Sequence, residues 1–206
     1  MSGARSTPFL LLIVCAIAAC KSAAVHLYTL VPYTPAASSD ATESQPRHRI
    51  VFESISIPGE IDRKELVVRR SPHELVLLEN DNWASSLREE VRRGLTTDLY
   101  RALQDEAANV PTTAASLTVI RVDIREWEAT ANAVHLNAEW RIRRADSVDP
   151  IDIRCESDLV ERTSGSAEDL VRADQALLEN IAKAISRVLH GNRCNDFDRP
   201  QGYYQR

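Results

Sequence analysis

The chain has 206 residues, 44% hydrophobic and 27% charged, with a formal net charge of −5. That length and apolar content suit one domain with a sizeable core. The acidic balance excludes a basic field for nucleic acid and gives no electrostatic pull toward an anionic lipid surface, so any membrane affinity has to come from another device.

Taken in order, the first element is Phe9 to Cys20, preceded by a single charge, Arg5. Phe9 to Ile17 is a continuous apolar run, long enough for a secretory signal and far short of the roughly 20 residues that span a bilayer. The run ends in Ile17-Ala18-Ala19-Cys20, which resembles the lipobox of bacterial lipoproteins. That resemblance implies a signal peptide over residues 1–19, cleaved before Cys20. Diacylglycerol would sit on the thiol and a further acyl chain on the new amino terminus. Several chains, at ~0.8 kcal/mol per buried methylene, make a firm anchor. The alternative is an ordinary secretory signal that contains a cysteine. Lys21 follows; an aspartate there usually retains such lipoproteins in the inner membrane, so Lys21 points to the outer one. The tether over residues 20–26 reaches at most ~20 Å, which would hold a single domain, residues 27–191, close to the membrane. A polar tail, residues 192–206, follows it.

His26 to Val31 is a short β-type run, and Pro32 to His48 reads as a flexible loop. Arg49 to Pro58 alternates as a strand with a bulge near Glu53-Ser54. Glu65 to Arg69 and Glu74 to Leu78 make a hairpin around Ser71-Pro72-His73. Asp81 or Asn82 is expected to cap a helix from Trp83 to Gln104. Its apolar positions, Trp83, Leu87, Val91, Leu95, Leu99 and Leu103, recur every four residues. Such a stripe winds about a 3.6-residue helix, so the helix has to bend, with Gly94 the place for it, or its far end has to pack against a second element. After a linker over Ala107 to Ser116, three runs (Leu117 to Trp127, Val134 to Ile142, Ile151 to Leu159) alternate apolar with charged residues, the pattern of an antiparallel meander with one covered face. A last helix, Ala167 to His190, carries an apolar stripe, a Ser166/Asp169 capping box and a Gly191 stop. The expected fold is α+β: a two-layer domain with a mostly antiparallel sheet and two amphipathic helices on one face.

Several strings together resemble the ABC-type transport auxiliary lipoproteins, the PqiC (YmbA) family. They are Tyr28-Thr29-Leu30, Ile55-Ser56-Ile57-Pro58 before Ile61-Asp62-Arg63, and Leu66-Val67-Val68-Arg69. Asn82-Trp83-Ala84-Ser85-Ser86-Leu87, leading to Leu95 and Leu99, is the most specific, and Glu139-Trp140 closes the set. The likeness covers nearly all of the chain after Cys20. It implies a non-enzymatic accessory subunit that works with a mammalian-cell-entry (MCE) conduit protein of the periplasm, at the inner leaflet of the outer membrane, as a ring-like homo-oligomer. The cargo would be phospholipid or another apolar molecule. The motif residues Tyr28, Leu30, Pro58, Asp62, Arg63, Trp83, Leu87 and Trp140 are expected to be structural.

No nucleophile elbow, HExxH or phosphate-binding glycine loop is present, and no catalytic group is expected. Glu89-Glu90 reads as a solvated helix surface. Cys155 and Cys194 are either a bridge, stabilising by roughly 4 kcal/mol in the chain-entropy model, or two separate thiols. Together with His190 and Asp196 they match no standard zinc spacing. No cofactor is expected beyond the covalent lipid on Cys20. Trp83 and Trp140 read as core aromatics ahead of ligand contacts, and Tyr203 and Tyr204 as part of a disordered tail ahead of a contact with the headgroup zone or a partner. The charged strand face (Arg121, Asp123, Arg125, His135, Glu139, Arg141, Arg154, Glu156) is either solvated or a subunit interface.

Overall fold

A computed structural model describes residues 23–33, 49–106, 117–144, 151–191 and 193–194. The signal, Cys20, most of the Pro32–His48 loop, the linker before Leu117, Asp196, Tyr203 and Tyr204 lie outside the described residues. In chain order the elements are β1 (His26–Tyr28), β2 (Arg49–Ser56), β3 (Glu65–Ser71), β4 (Glu74–Trp83), α1 (Leu87–Glu106), β5 (Leu117–Ala129), β6 (Ala133–Arg144), β7 (Ile151–Arg162) and α2 (Ala167–Leu189).

The α+β class read from the sequence is the one observed. The strands divide, however, into two mixed sheets, a larger one in the order β2-β5-β6-β7 and a smaller one in the order β1-β4-β3. β5, β6 and β7 form the antiparallel meander, and β2 adds to β5 in parallel. The split begins at Pro58. Its carbonyl accepts from the amides of Ile61 and Asp62, both at 3.2 Å, and this turn carries the chain off the large sheet before β3 starts. The β3–β4 hairpin then pairs with β1, which lies parallel to β4.

Alternation sets the large sheet's faces. Val134, Leu136, Ala138, Trp140 and Ile142 of β6 are each no more than 1% exposed, beneath α2. Two bulges re-aim side chains without breaking the sheet. The register shifts between Phe52 and Ser54, which lets Phe52 and Ile55 both point inward. It shifts again between Ile124 and Glu126, which turns Trp127 inward after Ile124 and leaves Arg125 outside.

The start of α1 differs from the expected one. β4 continues through Asp81, Asn82 and Trp83, and the helix begins at Leu87. Neither Asp81 nor Asn82 is its cap. Ser86 is, its carbonyl accepting from the Glu90 amide at 3.0 Å, with Glu89 completing a Ser-x-x-Glu box. The polar residues misread as caps are tolerated in β4 because strands on both sides pair with that stretch: Asn82 lies opposite Leu27 of β1 and Glu65 of β3. The winding stripe of α1 is covered throughout, with Leu87, Val91, Leu95, Leu99 and Leu103 at 3% exposure or less. α1 packs against β2 on one side and α2 on another, and Leu30 joins the same core. Gly94 serves this crowding. A Cβ there would lie 2.9 Å from the Leu30 carbonyl oxygen and 3.4 Å from Leu178 Cδ1.

Candidate functional site

The segment that follows the tether is fixed by a buried acid. Glu90, in the first turn of α1, is 0% exposed. One carboxylate oxygen accepts from the Thr29 hydroxyl at 2.7 Å and the Leu30 amide at 3.0 Å; the other accepts from the Ser85 hydroxyl at 2.6 Å. Burial pushes the carboxyl up, but the donors from Ser85, Thr29 and Leu30, with Arg93 nearby, outweigh it and hold the group below the ordinary carboxylate value. Glu90 is therefore no part of a solvated surface, as the pair Glu89-Glu90 suggested. Two of its partners, Thr29 and Leu30, lie some sixty positions earlier in the chain, out of reach of any local pattern. Gln175 of α2 donates to the Thr29 carbonyl at 3.0 Å, and the Tyr28 hydroxyl donates to Asp81 at 3.1 Å. Strand, helix and hairpin thus close on three consecutive residues, Tyr28, Thr29 and Leu30.

A second buried acid lies where the small sheet meets the helices. Asp174 sits inside the apolar stripe of α2, 5% exposed. Its Oδ1 accepts from Trp127 Nε1 at 2.8 Å, the indole that the β5 bulge turns inward. Burial raises its pKa to about 7, opposed only by that one hydrogen bond. Asp174 lines a cavity of about 30 Å³ together with Ile61, Leu66, Trp83, Leu87 and Leu170. A space of that size holds a water or two and no acyl chain.

On the outer face of the large sheet, charges are paired in rows. Arg121 lies opposite Arg141, which lies opposite Arg154; in the next row Asp123 lies opposite Glu139, and Glu139 opposite Glu156. Like charges directly across a ladder repel. The pairing is diagonal instead: Arg125 to Glu139 and Glu156, Arg154 to Glu139, Arg141 to Asp152. Arg121 reaches Glu53 at 2.5 Å, and His135 lies 2.5 Å from Asp158. Among the described residues no group of three His, Cys, Asp or Glu side chains could hold a metal, and no helix is long and apolar enough to cross a membrane.

With this geometry in hand, a family model described as the ABC-type transport auxiliary lipoprotein component matches residues 28–186. The chain belongs to this family. The match opens at Tyr28, the first residue of the clamp, and ends in α2. A solved structure titled only as an uncharacterized protein superposes on this auxiliary lipoprotein with a TM-score of 0.62 at 17% identity, covering 81% of this chain and 99% of that one. A protein from Xanthomonas campestris superposes with a TM-score of 0.51 at 17% identity, covering 77% and 91%. At such identities these likenesses speak for the fold. No curated protein matches the sequence.

The auxiliary lipoprotein's motif residues fall around the clamp and the cavity. Leu30 is 0% exposed and Trp83 and Leu87 line the cavity wall. Asp62 accepts from Arg88 at 2.5 Å, and Arg88 also donates to the Ile55 carbonyl at 3.0 Å, so this pair ties α1 to the end of β2. Arg63 lies 4.0 Å from Glu65, and Trp140 donates to the Ser157 hydroxyl at 2.9 Å on the large sheet's covered face. Cys155 of β7 and Cys194 are joined as a disulfide with Cα atoms 5.5 Å apart, which leaves neither thiol for a metal. One residue of the site carries a readable signal in the sequence: Asp174 stands four residues after Leu170, on the apolar stripe of α2. Beside the clamp, Ser86-x-x-Glu89 is a capping box that marks the start of α1.

Proposed function

We propose that this auxiliary lipoprotein is the outer-membrane end of an MCE-type lipid transport system. Acyl chains on Cys20 hold it to the inner leaflet, and the folded domain docks a periplasmic conduit protein there. One observation carries the reading. Thr29 and Leu30, only nine and ten positions after Cys20, are gripped by Glu90 and lie where α1, α2 and the hairpin meet. An anchor on Cys20 would therefore fix the position of the whole helical core, as a docking post requires, and would not dangle it on a long leash. Lys21 in place of aspartate supports the outer membrane as the address. The charged rows of the large sheet, alternating in sign, suit packing against a second copy in a homo-oligomer. Phospholipid fits as cargo for the conduit; the small cavity beside Asp174 gives this subunit no lipid pocket of its own there.

Crosslinking in cells followed by purification of the lipoprotein tests the partner. Recovery of an MCE-domain protein is the expected result. Recovery of a β-barrel assembly or secretion component instead would favour a structural lipoprotein of another outer-membrane machine. A Cys20→Ser variant is expected in the soluble periplasmic fraction; retention in the membrane would overturn the anchor.

A further inference from the structure

β5 runs on past its neighbour on one side. β2 pairs with it from Arg49–Leu117 to Ser56–Asp123 and then departs at the Pro58 turn. On the other side β6 stays paired as far as Ala129–Val134. Beyond Asp123, therefore, β5 has one paired edge and one bare edge. The small sheet does not fill the gap, for β3 approaches β5 but belongs to a separate sheet. Between them lies an open cleft of about 270 Å³. Its walls are Glu60 and Ile61 of the turn, Val67 and Arg69 of β3, Leu75 of β4, and residues 125–129 of β5.

That last run settles what faces the cleft. Successive side chains of a strand point to opposite faces, so side chains alone would bring every second residue to one wall. Five consecutive residues of β5 reach it. The wall is the edge of the strand, with its backbone. Alternate residues there turn N–H and C=O toward the space, and among the described residues no backbone group of this run bonds on the side away from β6. Such an edge is a template for one more strand. The ion pairs decide what that strand carries. Arg69 is held by Glu128 at 2.5 Å, and Arg125 by Glu139. Glu60 has no cation at ion-pair distance among the described residues, and Glu126, its side chain 58% exposed, has only His135, 3.6 Å away. Both arginines are engaged and two carboxylates are not. Ile61, Val67 and Leu75, the last 41% exposed, add an aliphatic wall.

We propose that the bare edge of β5 docks an extended segment of a partner protein, added as a strand in the place that β2 vacates, with basic side chains alternating with aliphatic ones. Main-chain hydrogen bonds to β5 give affinity, Val67 and Leu75 receive the aliphatic side chains, and Glu60 and Glu126 select lysine or arginine. The net charge of −5 favours the approach of such a segment. The inference needs neither the anchor on Cys20 nor an MCE protein as the partner.

The test uses the full lipidated chain in neutral detergent micelles and a fluorescent, end-blocked peptide that alternates valine with lysine. Binding is read by anisotropy and located by hydrogen exchange. Exchange should slow at residues 125–129 and stay unchanged along β7, the outer strand on the other side of the same sheet. Affinity should fall by about ten-fold or more in a Glu60→Lys/Glu126→Lys variant, whose altered side chains are both exposed. The same peptide with every second backbone nitrogen methylated cannot form the ladder and should not bind. The methylation and exchange readouts use the parent chain and need no variant. No binding of the lysine peptide, equal binding of its methylated form, or protection on β7 in place of β5 overturns the proposal. Self-association of the chain that shields residues 125–129 without any peptide assigns the edge to a second copy and overturns it as well.

Discussion

On the large sheet, one whole face is sealed by α1 and α2, and its central strand buries five successive inward side chains. On the small sheet, only Leu66 and Trp83 are buried, and the rest of the hairpin and β1 are exposed or half-exposed. The large sheet stands on the area it removes from water, worth ~25 cal/mol per Å². The small sheet is fastened by separate polar contacts: Glu90 to Thr29 and Leu30, Tyr28 to Asp81 at 3.1 Å, and Arg69 to Glu128 at 2.5 Å. Domains open locally where few apolar contacts oppose opening. The comparison teaches that the half of the molecule nearest the tether is the half that can loosen without unfolding the rest.

Trp140→Ala tests the sealed side. It removes a 1%-exposed indole from the middle of β6 together with the hydrogen bond that the indole donates to the Ser157 hydroxyl. A loss of ~3–5 kcal/mol is expected, read as a single cooperative shift of the urea midpoint; a shift equivalent to less than ~1 kcal/mol would break the comparison at its strong end. Glu90→Gln tests the fastened side. The amide keeps the shape but turns an NH2 group toward groups that donate, and leaves buried donors without partners at a cost of ~2–3 kcal/mol. Hydrogen exchange should quicken at Leu30 and along β1 while the β6 amides keep their protection. Equal acceleration in β6 would show the two sheets to be one cooperative unit.

Asp174→Asn probes the seam between them. The folded carboxyl titrates at about 7 against an ordinary 3.8, so the folded state holds its proton more tightly than the unfolded chain does. Stability is then greatest below the ordinary value, erodes as pH rises from about 4 to about 7, and is level above that. Asparagine still accepts from Trp127 and never charges. The variant should match the parent near pH 4 and exceed it by roughly 4 kcal/mol near pH 8, about three pKa units at ~1.4 kcal/mol each. Asp98, which burial raises to about 6, leaves a smaller slope of the same sign in both proteins. A parent more stable at pH 8 than its variant would contradict the burial of this acid. Arg141→Ala is the smallest effect. Its bond to Asp152 lies in solvent and Arg154 stands directly opposite, so thermal unfolding should not move measurably.

What the sequence discloses follows from how local each cause is. The β5–β7 meander and α2 are written in period-2 and period-3.6 alternation, and the β2 bulge shows as a skipped beat between Phe52 and Ile55. The extension of β4 was hidden because Asn and Asp favour caps and turns in isolation; pairing with strands on both sides overrides that preference. The division into two sheets follows from the Pro58 turn that takes β3 off the large sheet, and the pairing of β1 with β4 is long-range, with no local mark. Glu90 looks like any helix-surface acid until Leu30 arrives from far up the chain. Asp174 was legible in principle, as a carboxylate on an apolar stripe, though not its Trp127 partner. Family strings located the residues around the clamp without disclosing what grips it.

The parallel register of β1 on β4 has a mechanical corollary. A load applied at the amino terminus pulls β1 along its own axis, so the pairs His26–Asp81, Leu27–Asn82 and Tyr28–Trp83 are stressed together instead of being peeled one by one. Behind them Glu90 passes the remaining strain to α1, whose close contact with Leu30 at Gly94 leaves little slack. Whatever tugs on this end is resisted in shear by the body of the protein.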